Sequence, residues 1–323
     1  MSKPLVRMDH AYRRICHAAI IAVCIFYGPA VAARELCVLV PHLKDEYWVS
    51  VAYGIETRAR EKGLAARFFE AGGYRSLAQQ VQQLTTCGDA DTILIGAVSS
   101  NDPVLLSAVS RAAERRPVIG LVNEIHSDAL MARVGVDWTE MGITLGKHLA
   151  SLFPAGSPRR QAVLLTGPKE SGWVSPLETG LRHSLEGSAL SIRTVFGADT
   201  GSAEQLRILE RALAEEPAPD VIVGSAPAIE AAMALVSKAS GGPLLVATYV
   251  SHSVARGLVN GRVEAAPFDD PVLQGRMAVD AALAAMDAHA SPGLTGPPIT
   301  LVTKGANPGT LNMSPADYFP VLD

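Results

Sequence analysis

Leu36-Cys37-Val38-Leu39-Val40-Pro41-His42-Leu43-Lys44-Asp45-Glu46-Tyr47-Trp48-Val49-Ser50 runs from an unbroken apolar stretch, through a short polar loop, into an amphipathic one. Residues 36–40 read as a strand buried on both faces. Trp48, Val51, Ile55 and Ala59 then recur at helical spacing. Gly63 follows where a helix end favours a residue tolerant of positive φ. The same rhythm continues with strand 66–69 and a helix face at Leu77, Val81 and Leu84. Strands 93–95 and 118–121 flank a helix over 103–114, and a short strand over 133–136 closes the run. A second run has helices 140–152, 176–186, 203–214 and 226–239 alternating with strands 162–166, 191–196, 221–223 and 244–247. Continuous apolar strands between amphipathic helices mean parallel sheets covered on both faces.

The fold class expected is therefore α/β, with two doubly wound parallel-sheet lobes. After the second run come helix 253–260, strand 263–266, helix 272–288 and strand 299–302. These extra strands are best placed by returning the chain to the first lobe and crossing once more at the end. The expected division is 34–137 plus 251–296 for the first lobe and 138–250 plus 297–323 for the second.

Residues 1–33 are of another kind. Lys3, Arg7, Arg13 and Arg14 precede an apolar run over 15–27, and Gly28-Pro29-Ala30-Val31-Ala32-Ala33 supplies small residues. That is the pattern of a secretory signal peptide cleaved near Ala33. The alternative is an uncleaved anchor, for which the run is short against the roughly 20 residues of a membrane span. Cleavage takes four of the 28 basic and one of the 32 acidic residues, leaving 24 against 31 and a net charge of −7. It also removes Cys16 and Cys24. Cys37 and Cys87 remain, one in the first predicted strand and one at the end of the second predicted helix. Both sit at one end of a βαβαβ unit in an oxidising compartment, so a disulfide is expected, with two buried thiols as the alternative.

The 48% hydrophobic content and mean hydropathy of +0.21 exclude a largely disordered chain. No basic stripe suggests nucleic acid, and no Cys/His cluster has metal-ligand spacing. G-x-G-x-x-G and G-x-S-x-G patterns are absent. Gly142-Ile143-Thr144-Leu145-Gly146-Lys147-His148 resembles a phosphate loop only superficially and reads as helix. His183 and His252 are isolated, and the carboxylates are not visibly paired. No catalytic residue, metal or cofactor is expected, and the chain does not read as an enzyme.

Aromatic residues are scarce, 5% of the chain with three tryptophans. Yet Tyr47, Trp48, Tyr74, Trp138, Trp173, Tyr249 and Phe268 all fall just after predicted strands, at the edge where open α/β sheets bind ligands. Core packing would place them within strands and along helix faces instead. An aromatic box suits a cationic, methylated ligand through cation–π contact. Asp45, Asn123, Asp137 and Asp269 lie near the same edge. Asp45 is open between a ligand role and helix capping, whereas capping is preferred for Asp269.

The opening stretch with Tyr53-Gly54 resembles the start of the mature TorT family, the periplasmic binding proteins of trimethylamine N-oxide respiration. The resemblance continues through Glu70-Ala71-Gly72-Gly73-Tyr74, Leu121-Val122-Asn123, Arg133-Val134-Gly135-Val136 with Trp138, and Met141-Gly142. It extends over Ser251-His252, Arg256-Gly257-Leu258, Gly261-Arg262-Val263, Asp269, Gln274-Gly275 and Pro297-Pro298-Ile299. It implies a ribose-binding-type (type I) periplasmic fold, hinged by several strands, in the periplasm. It implies trimethylamine N-oxide as ligand and a TorS-type membrane sensor histidine kinase of a two-component system as partner. Tyr47, Trp48, Tyr74, Trp138 and Tyr249 match the family's ligand box, and Asp45 is added as a polar contact. Residues 169–176 and the tail after Lys304 match less well, so Trp173 is not carried over. The alternative is a substrate-binding protein feeding an ABC transporter with a sugar or methylated amine.

Overall fold

The computed structural model describes residues 34–236, 241–289 and 291–323. The expected leader and the end of the helix expected over 226–239 lie outside them. The first run builds β1 (Glu35–Val40), α1 (Glu46–Glu61), β2 (Ala65–Glu70), α2 (Leu77–Thr86), β3 (Thr92–Ile95), α3 (Pro103–Ala113), β4 (Val118–Leu121) and β5 (Ala132–Val134). The second builds α4 (Trp138–Leu152), β6 (Arg160–Thr166), α5 (Val174–Leu185), β7 (Leu190–Gly197), α6 (Ser202–Leu213), β8 (Val221–Gly224), α7 (Ala226–Leu235) and β9 (Leu244–Ala247). Then follow α8 (His252–Val259), β10 (Ala265–Phe268), α9 (Pro271–Met286), β11 (Ser291–Thr295) and β12 (Thr300–Thr303).

Two parallel sheets result, ordered β11-β5-β4-β3-β1-β2 and β7-β6-β8-β9. Every residue of β3, β4 and β8 is buried, as strands covered on both faces require. Helix pairs cross at small residues: a Cβ on Gly142 of α4 would lie 2.2 Å from the Leu177 carbonyl of α5. The apparent phosphate loop is thus a helix contact. Among the described residues no helix is long and apolar enough to cross a membrane. A disulfide joins Cys37 and Cys87 across a Cα separation of 5.7 Å, tying β1 to the end of α2.

The region after residue 250 differs from expectation. α8 packs on α7, and β10 pairs antiparallel with β12. The Glu264 N–H donates to the Leu245 carbonyl of β9 at 2.8 Å. Residues 251–268 therefore sit with the second sheet, and the chain rejoins the first only at α9, which packs on α1. Hydropathy marks a strand but not its partner, which is why the return was expected too early. β11, not foreseen, then pairs with β5. The tail, expected with the second lobe, comes back to the first: the Tyr318 hydroxyl donates to Glu56 Oε2 at 2.7 Å and the Asp323 N–H to the Phe68 carbonyl at 3.0 Å.

Candidate ligand site between the lobes

The carboxyl ends of the strands in both sheets face one another, and their loops enclose a small chamber. Asp45, Tyr47, Trp48, Tyr74, Trp138 and Tyr249, the six positions expected from sequence, all line it. Val122, Asn123 and Trp173 complete the wall of a tightly closed box whose interior cavity is only about 10 Å³. Tyr249 stands at the centre, its ring centroid 5.3 Å from Tyr47, 6.0 Å from Trp173 and 6.4 Å from Trp138. These contacts are edge-to-face, with interplanar angles of 72°, 88° and 86°.

Two glycines at strand ends seat the indoles. A Cβ on Gly96, after β3, would lie 2.4 Å from Trp48, and one on Gly167, after β6, 2.5 Å from Trp173. Val122 has φ of 62°, a strained conformation for a β-branched residue. The resulting tight turn lets the Asn123 N–H reach the Leu121 carbonyl at 2.7 Å, and the Val122 carbonyl accepts the Trp138 indole N–H at 3.2 Å. Trp138 therefore offers the chamber its ring alone.

Two buried carboxylates frame the box. Asp45 caps α1 by accepting the Tyr47 N–H at 3.1 Å and also accepts the Tyr249 hydroxyl at 2.5 Å. Capping and lining, left as alternatives by the sequence, thus coexist. Asp269 accepts the Tyr47 hydroxyl at 2.7 Å and Gln274 Nε2 at 2.9 Å. Burial pushes both carboxyls up to about 6 against these stabilising hydrogen bonds. The Tyr74 oxygen accepts Asn123 Nδ2 at 3.2 Å. With its oxygen occupied as acceptor, the Tyr74 hydroxyl has its proton left for the chamber.

Other expectations are corrected. Asp269 does not cap α9: Asp270 does, accepting the Leu273 N–H at 2.8 Å from a backbone with φ of 44°. Phe268 lies inside β10, opposite Thr300, rather than after a strand, and does not line the chamber. Asp137 caps α4 through the Thr139 N–H at 2.8 Å. Trp173, counted among the edge aromatics but not carried over into the ligand box, lines the chamber as well, its ring centroid 5.5 Å from that of Trp138 and tilted by 45°.

The family model described as "Periplasmic binding protein domain" matches residues 36–290. The "Periplasmic protein TorT" of Escherichia coli K12 is 35% identical over 294 residues, 90% of this chain and 84% of that protein. A chain from crystal structures of the TorS sensor domain–TorT complex, without ligand and in the presence of TMAO, is 34% identical. It covers 90% of this chain and 100% of its own, with a TM-score of 0.77. An ABC transporter solute-binding protein from Bradyrhizobium sp. BTAi1, with bound bis-tris, is also 34% identical, with a TM-score of 0.73 over 91% of this chain and 90% of that one.

Proposed function

This chain belongs to the TorT family of periplasmic binding proteins, and from that premise we propose that it is a periplasmic sensor that closes around trimethylamine N-oxide and presents the closed shape to a TorS-type sensor histidine kinase. The observation that carries the reading is the box itself. Trp48 and Tyr74 come from the first lobe, and Trp138, Trp173 and Tyr249 from the second. A ligand in it touches both lobes and so favours the closed state by its differential affinity.

The chemistry fits group by group. Three methyls around a positive nitrogen rest on ring faces, each cation–π contact contributing roughly 0.5–2 kcal/mol. Asp45 and Asp269 add negative potential, and the Tyr74 proton serves the oxide. A sugar would need several free donors and acceptors. Here Tyr47 is paired with Asp269, Tyr249 with Asp45, and Asn123 with Tyr74 and the Ala97 carbonyl. The box works by binding and lobe closure, with no reacting group required.

A second reading, a transport binding protein for a methylated amine, is favoured by the relative with bound bis-tris, itself a tertiary amine. Calorimetry with trimethylamine N-oxide should give saturable heat, and ribose none. The reverse would overturn the reading. A protein that binds the N-oxide yet shows no affinity for the kinase sensor domain, with or without ligand, would favour the transport reading.

A further inference from the structure

Asp199 lies in the loop between β7 and α6, in the second lobe and outside the chamber lining. Its Oδ2 accepts the backbone N–H of Tyr74, in the first lobe, at 2.8 Å. Its Oδ1 lies 3.1 Å from His42 Nε2, which is also 3.0 Å from the Thr200 hydroxyl. His42 is fully buried, and its ring meets that of Tyr74 edge-on at 5.7 Å. The chain makes room for this contact at Gly73, whose φ is 152° and where a Cβ would fall 2.3 Å from Asp199 Oδ2. Partial burial works against ionising Asp199, but the His42 contact and the Tyr74 and Thr200 N–H groups outweigh it and hold the carboxyl below its usual range.

We propose that Asp199 is a positioning residue that couples lobe closure to ligand recognition, fixing the Tyr74 backbone from the opposite lobe and so aiming the Tyr74 hydroxyl into the chamber. The coupling follows from topology. Asp199 and Tyr74 meet only when the lobes are together, so the first lobe's donor is set in place by the second lobe's approach. The residue touches no ligand; it acts through Tyr74. The inference rests on the chamber being the ligand site, and it specifies how closure completes that site.

The test is a double-mutant cycle read by trimethylamine N-oxide affinity. Asp199→Ala should weaken binding tenfold or more, mainly through faster release. Asp199→Asn, which keeps an acceptor for the Tyr74 N–H, should stay within threefold of wild type. In a Tyr74→Phe background, which removes the aimed hydroxyl but keeps the backbone N–H, Asp199→Ala should cost at least threefold less than in wild type, an outcome a merely structural role would not produce. Amide exchange of the protein saturated with trimethylamine N-oxide gives a second readout: the Tyr74 N–H should be protected in wild type and Asp199→Asn and exchange faster in Asp199→Ala. Equal losses in both backgrounds, an Asp199→Ala affinity within twofold of wild type, or unchanged Tyr74 exchange would each overturn the proposal. Wild-type protein that fails to bind the N-oxide would instead refute the ligand reading on which the proposal rests.

Discussion

Asp45→Asn should stabilise the ligand-free protein at neutral pH while weakening its ligand. Burial raises the Asp45 carboxyl from 3.8 to about 6, which corresponds to about 3 kcal/mol against its ionised form. A carboxyl raised in the folded state binds its proton more tightly there than in the unfolded chain. The folded state therefore loses stability as pH rises from about 4 to about 6, and the loss is complete above that window. Asparagine cannot ionise and escapes this loss. It disturbs the hydrogen bonds to the Tyr47 N–H and the Tyr249 hydroxyl, which offsets about 1 kcal/mol. The net expectation at pH 7.5 is a gain of about 2 kcal/mol, all of it gone at pH 4, where the hydrogen-bond loss of about 1 kcal/mol outweighs what ionisation still costs. Asp269 titrates over the same range in both proteins and cancels in the difference. Urea unfolding of both proteins at the two pH values measures this directly. A stability difference that does not change with pH would refute the reasoning, as would a variant that binds trimethylamine N-oxide with wild-type affinity.

Three other outcomes follow from the same geometry. Trp138→Ala removes a ring that contacts Trp173 and Tyr249, and calorimetry should show at least a tenfold loss of affinity, at the upper range for one cation–π face. Gly96→Ala places a methyl 2.4 Å from the Trp48 ring, so the indole must move; affinity should fall tenfold or more with the chain still folded by circular dichroism. Reducing the Cys37–Cys87 bridge, which spans 50 residues, should lower stability by about 2–4 kcal/mol, read as a lower urea midpoint in reductant.

The box was legible because each of its aromatics follows a strand, and strand ends in a doubly wound sheet converge on one edge. Tyr47, Trp48, Tyr74, Trp138 and Tyr249 needed only correct strand positions, which unbroken runs such as Val118–Leu121 supply. Phe268 shows the sensitivity of that reasoning: placing β10 two residues early turned a strand residue into an apparent loop residue. Asp269 and Asp270 are neighbours of identical chemistry, and only the left-handed backbone at Asp270 decides which one caps α9. The placement of α8 and β10 was hidden because an antiparallel pairing with a strand more than 30 residues later leaves no local pattern. Asp199 was equally hidden: its partners, His42 and the Tyr74 amide, are over 120 residues away. The returning tail is held by scattered polar contacts such as Asn312 to Asp270 at 3.0 Å, which have no periodicity to read.

All three tryptophans of the chain line the chamber, so intrinsic tryptophan emission reports on the box and on nothing else. Titration of the protein with trimethylamine N-oxide, followed by that emission, tests the central claim most directly. A saturable change in intensity or wavelength, lost in Trp138→Ala, is the result expected. Emission unchanged through millimolar N-oxide, or a change that Trp138→Ala leaves intact, would contradict the assignment of the box as the ligand site.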